Sequence, residues 1–138
     1  MEFEFSQIWT AAGVLLGFQV SSFAWRIQQE SQVADRGDIS WIPPADYLNL
    51  AAMVITVLGV FVAPVFGLAT AAGAQMMFGL SAIMFVGHSF ALAAHYELFN
   101  HRTKRTYRYF PTQEKIVVVI VIFISFVYFG LWYAREST

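Results

Sequence analysis

IVVVIVIFISFV, residues 116–127, can be read in two ways. Branching at Cβ suits the pleated surface of a strand. Length and unbroken apolarity suit a helix in lipid, where a strand needs alternating faces and a closed barrel to satisfy its backbone. Extended outward, the run covers 116–134 without Asp, Glu, Lys or Arg. That comes close to the ~20 residues a helix needs to cross ~30 Å of hydrocarbon. The stretch therefore reads as a lipid-facing helix.

Three similar runs precede it, at about 6–28, 47–69 and 74–99. The chain of 138 residues is 58% apolar and only 12% charged, about half the ~25% charged share of soluble domains. Together these predict an all-α integral membrane protein, a compact four-transmembrane-helix bundle filling 1–138 as one domain. The connections at 29–46 and 100–115 are too short for a soluble domain. No cleavable leader and no lipidation motif is expected. The absence of cysteine excludes disulfides, thiolate metal sites, Fe–S clusters and thiol redox chemistry.

Charge sets the expected orientation. Arg26, Arg36, Arg102, Lys104, Arg105, Arg108 and Lys115 flank the first and third connections, and only Arg135 lies at the other end, seven cations against one. The positive-inside rule then puts both termini outside and the two long loops in the cytosol. Trp9 and Trp132 fall at outer span ends, and Trp25 and Trp41 at inner ones, the headgroup level that amphipathic rings prefer. The expected location is a bacterial cytoplasmic (plasma) membrane, with the lipid bilayer itself as first partner.

Small residues predict the close helix contacts, because lipid supplies no hydrophobic drive for association. Span one carries Gly13, Gly17 and Ser21; span two carries Gly59, Ala63, Gly67 and Ala71, each at intervals of four. Pro64 lies inside span two and predicts a local distortion. PPADY (43–47) reads as a helix start, and Gly37 as the turn ending a polar extension of span one.

The chemistry-bearing stretch is GHSFALAAH, 87–95, with its two histidines. Met77, Ser81, Met84, His88 and His95 form one stripe along span three. Gln19, Ser22, Asn49, Thr56, His88 and Ser89 all fall in the cytosolic half of their spans, whereas the outer half is apolar or small. This asymmetry suggests a vestibule open to the cytosol. The plainer alternative is that these side chains simply hydrogen-bond one another in the packed bundle.

Several function classes fail on counting. Every histidine lies on span three or just after it, so facing imidazoles for haem would need a second subunit. A lone Met/His stripe lacks a complete copper ligand set. No carboxylate falls inside a span, since Asp46 and Glu97 stand at the cytosolic ends, which argues against proton-coupled transport. No nucleophile–base constellation, zinc-protease motif or phosphate loop is present, so no enzyme, cofactor or metal is expected.

The leading expectation is a homo-oligomeric ion-permeable pore or gated pathway. Gln19, Ser22, Asn49, Thr56, His88 and Ser89 would line its vestibule. Gly13, Gly17, Gly59, Ala63, Pro64 and Gly67 would form the helix contacts and the constriction. The alternative is a non-conducting anchor or sensor subunit. Its loop HRTKRTYRYFPTQEK (101–115) would then bind an acidic cytosolic protein or anionic lipid through Arg102, Lys104, Arg105 and Arg108, nucleic acid being a poorer fit. A metal- or haem-binding subunit is the weakest of the three.

Overall fold

Each apolar run forms a helix in the computed structural model, which describes residues 4–37, 40–99 and 109–137. Helix α1 covers Phe5–Asp35, α2 Pro44–Val65, α3 Ala71–His95 and α4 Thr112–Glu136, and the described residues contain no strand. All four are long and apolar enough to span a membrane, the 116–127 run included. The architecture is that of a small multi-pass membrane protein. The end of α1, the start of α2, the end of α3 and the start of α4 meet at one end of the bundle; the start of α1, the α2–α3 turn and the end of α4 lie toward the other.

Local chemistry explains the helix limits. The α1 helix runs past its apolar part into QQESQVAD and stops where Gly37 adopts φ 81°. At the start of α2, Pro43 and Pro44 supply the fixed φ of a first turn and leave Ala45 as the first N–H donor. The α2 helix ends at Val65 rather than Ala69 because Gly67 turns left-handed at φ 69°. There Leu68 N–H donates to Ala63 O at 2.8 Å and Gly67 N–H to Pro64 O at 3.0 Å. The α3 helix starts on Thr70, whose hydroxyl accepts from Gly73 N–H. It ends at His95 by the same pairing as α2, with Glu97 at φ 54° and Leu98 N–H bonded to Ala93 O at 3.1 Å.

The distortion predicted at Pro64 is a π-helical stretch over Ile55–Val62. Proline has no N–H for the carbonyl of Val60, four residues back, and its ring crowds that carbonyl. Trp9 of α1 supplies the missing donor, its indole N–H reaching Val60 O at 2.9 Å.

Helix α3 is the axis of the bundle: α1, α2 and α4 all pack on it, and among the described residues the backbones of α1 and α4 do not come close to one another. Alanine makes this closeness possible, with Ala12, Ala45, Ala52, Ala74, Ala91 and Ala94 fully buried. The intimate glycines are Gly59 against Met77, Gly79 against Tyr128 and Gly87 against Val121. Gly13 and Gly17, expected to make helix contacts, face outward with nothing within 4 Å of an added Cβ. The cause lies on the same helix. Gln19 and Arg26 must turn inward from lipid, and a residue two positions from Gln19 lies ~160° around the helix.

Candidate functional site

The inward face of α1 is Ile8, Ala12, Gln19 and Arg26, with Ser22 partly buried between the last two. It meets polar side chains of α2 and α3 at two levels.

At the deeper level, Gln19 Nε2 donates to Ser81 Oγ at 2.8 Å, and Ser81 donates to the carbonyl of Ala52 at 2.9 Å. Thr56 Oγ1 lies 2.6 Å from Ser81 Oγ and 3.3 Å from Gln19 Oε1. Asn49 Nδ2 donates to the backbone oxygen of Gln19 at 3.0 Å. Gln19, Asn49, Thr56 and Ser81 are each 0% exposed, so this knot ties α1, α2 and α3 together in the centre of one protomer. Beyond it, toward the short turn, Ile8, Ala12, Val60 and Ala74 close the interior with an apolar layer.

One to two turns nearer the long loops lies a cluster of charges. Arg26, 2% exposed, donates from Nε to Asp46 Oδ2 at 3.1 Å and from Nη2 to Glu30 Oε1 at 2.9 Å. Its Nη1 donates to Tyr96 Oη at 2.8 Å and to Gln29 Oε1 at 3.2 Å. Asp46 is likewise 2% exposed, and its Oδ1, which has no hydrogen-bond partner among the described residues, lies 3.6 Å from His88 Nδ1. His88 itself is 1% exposed and stacked against Phe85.

The neighbours of His88 decide its tautomer. Nδ1 is 3.0 Å from Ala45 O and faces Asp46, both acceptors only, so Nδ1 carries the hydrogen. Nε2, 3.4 Å from Ser22 Oγ, is then the acceptor of the neutral ring. The second histidine of α3, His95, donates from Nδ1 to Glu114 Oε2 at 2.8 Å, and Trp41 and Tyr96 set their rings edge-on to it. The other oxygen of Glu114 accepts from Ala45 N–H at 2.6 Å.

An open crevice of about 380 Å³ lies over the charge cluster at the long-loop end, walled by Phe23, Ile27, Trp41 and Ile42 and floored by Arg26, Glu30 and Asp46. The structure thus assembles Gln19, Ser22, Asn49, Thr56 and His88, as their common depth in the sequence implied. Hydrogen bonds join Gln19, Asn49 and Thr56 in one group and Ser22 and His88 in another. Ser89, expected among them, is exposed: it follows His88 on α3 and points away from the other helices. Ala63 and Pro64 are partly buried, and Gly67 lies beyond the end of α2, exposed. Arg102, Lys104, Arg105 and Arg108 lie outside the described residues.

The sequence reading missed the buried charges. Asp46 does stand at a helix start, as expected, yet it is enclosed by α1 and α3 with only 2% of its surface exposed. Glu114, 0% exposed, read as part of a basic loop. One signal was present: Gln19, Ser22 and Arg26 are spaced three and four apart on one helical face. Among the described residues no three or more His, Asp or Glu are grouped to hold a metal ion. No protein-family model, curated protein or solved structure matches this chain.

Proposed function

We propose that the protein is a non-enzymatic ion pathway of a cytoplasmic membrane and that its permeant ion is the proton. The observation that carries this is His88, buried with Asp46 and Ala45 O on its Nδ1 side and Ser22 on its Nε2 side. A hydrogen-bonded interior of this kind has no room for a hydrated ion, whereas a proton moves along donors and acceptors already in place. The pathway lies inside one protomer, because the polar side chains do, and needs no second copy.

The surroundings of His88 supply proton donors and acceptors on both ring nitrogens: Asp46 Oδ1 lies 3.6 Å from Nδ1 beside the Arg26–Asp46–Glu30 cluster, and Ser22 Oγ lies 3.4 Å from Nε2. The crevice over Asp46 gives water access to the cluster from the long-loop end, which the seven-to-one distribution of Lys and Arg assigns to the cytosol. Ser22 and the Gln19–Thr56–Ser81 knot continue the polar route inward. The layer of Ile8, Ala12, Val60 and Ala74 then acts as a gate that conducts when it wets.

The test is proton flux into liposomes holding the purified protein, driven by a potassium diffusion potential and read with an internal pH dye. Wild type is expected to acidify the lumen, and His88→Gln to slow this about a hundredfold, the low end for loss of a positioned acid–base group. A wild-type rate in His88→Gln would remove His88 from the pathway.

A further inference from the structure

We infer that Glu114, on the peripheral helix α4, is a positioning residue for His88 and acts through the backbone of Ala45. This deepens the proton-pathway reading, because the site is the same one. The starting point is the first turn of α2, which has no side-chain cap. Pro44 has no N–H, so Ala45 carries the first free donor of the helix, and an unpaired N–H at this depth is costly. Glu114 meets it with a carboxylate oxygen at 2.6 Å, placing an anion at the positive end of the helix dipole.

The carbonyl of the same residue holds the Nδ1 hydrogen of His88 at 3.0 Å. Ala45 is fully buried and its backbone is engaged on both sides, by Glu114 of α4 and by His88 of α3. The second oxygen of Glu114 is fixed by His95 at 2.8 Å, and His95 is braced by the rings of Trp41 and Tyr96. The two histidines, seven residues apart on α3, are therefore linked through Glu114 and the first turn of α2. If Ala45 is released, the Nδ1 hydrogen loses its carbonyl, and the next acceptor is Asp46 Oδ1 at 3.6 Å. His95 and Glu114 thus set whether the ring leans on the Ala45 carbonyl or on the Asp46 carboxylate.

The experiment is nitrogen-15 NMR of histidine-labelled full-length protein in lipid bilayers, with the His88 signal assigned by its loss in His88→Gln. Glu114→Gln keeps an oxygen for Ala45 N–H and removes the charge; Glu114→Leu removes both. The expected result is an unmoved His88 Nδ1 resonance in Glu114→Gln and a shifted one in Glu114→Leu. Tyr128→Phe, which removes the bond from Tyr128 to Met76 O at the other end of the α3–α4 contact, serves as control and leaves the resonance in place. An unchanged resonance in Glu114→Leu, a shift in Glu114→Gln equal to that in Glu114→Leu, or an equal shift in Tyr128→Phe overturns the inference. The resonance is read without ion flux, so a chain that conducts nothing yet shows the expected pattern upholds the role of Glu114 and removes the proton pathway.

Discussion

At the residue scale, the interior is organised by how each buried charge is satisfied. Arg26 distributes its guanidinium hydrogens over Asp46, Glu30, Gln29 and Tyr96. Removing one partner leaves the other charge uncompensated, which costs more than the pair itself contributes. Asp46→Ala is accordingly expected to destabilise the bundle by about 3–5 kcal/mol, while a joint Arg26→Met, Asp46→Leu exchange recovers most of that loss. Equilibrium unfolding in mixed micelles measures both, and equal losses in the single and joint variants would sink the argument. At the deeper level the expectation is milder. Gln19→Leu leaves the hydroxyls of Ser81 and Thr56 still bonded to Ala52 O, so a loss of about 1–2 kcal/mol follows, readable in the same assay.

At the element scale, helix rotation decides which small residues matter. Gly87 faces Val121 so closely that no Cβ fits between α3 and α4 without movement. Gly87→Val is therefore expected to cost about 1–3 kcal/mol through overpacking, whereas Gly13→Ala and Gly17→Ala, facing outward, stay within about 0.5 kcal/mol. Thermal unfolding of the three variants separates them. The contrast also marks what was legible in the sequence. Span number, the helical character of 116–127, the start at Pro44 and the turn at Gly37 depend on local length, apolarity and Pro/Gly chemistry. The rotation of α1 required weighing Gly13 and Gly17 against Gln19 and Arg26, and small-residue spacing alone pointed to the wrong face. Of the charge cluster, only the α1 face that carries Arg26 with Gln19 and Ser22 was legible locally. Arg26 and Asp46 are 20 residues apart and His95 and Glu114 are 19 apart, and only the packed helices remove them from water.

At the scale of the whole molecule, the interior has two unlike halves. The long-loop half holds the crevice, the charge cluster, His88, His95 and the hydroxyl knot; the other half is closed by Ile8, Ala12, Val60 and Ala74. The π-helical stretch of α2 connects them, with Thr56 in the knot and Val60 in the seal. Trp9 holds that stretch by the Val60 carbonyl. Trp9→Phe frees the carbonyl and is expected to loosen the seal, raising proton leak relative to wild type in the same liposomes, and an unchanged leak would detach the seal from this bond. In the proposed function, a closed, hydrogen-bonded interior passes protons and nothing larger. Its most direct test is ion selectivity of the wild-type protein in liposomes, with proton, sodium, potassium and chloride flux measured side by side under one driving force. Proton flux with the other three at the level of protein-free liposomes is the predicted result. Flux of sodium, potassium or chloride alongside protons would mean an open aqueous pore and contradict the account.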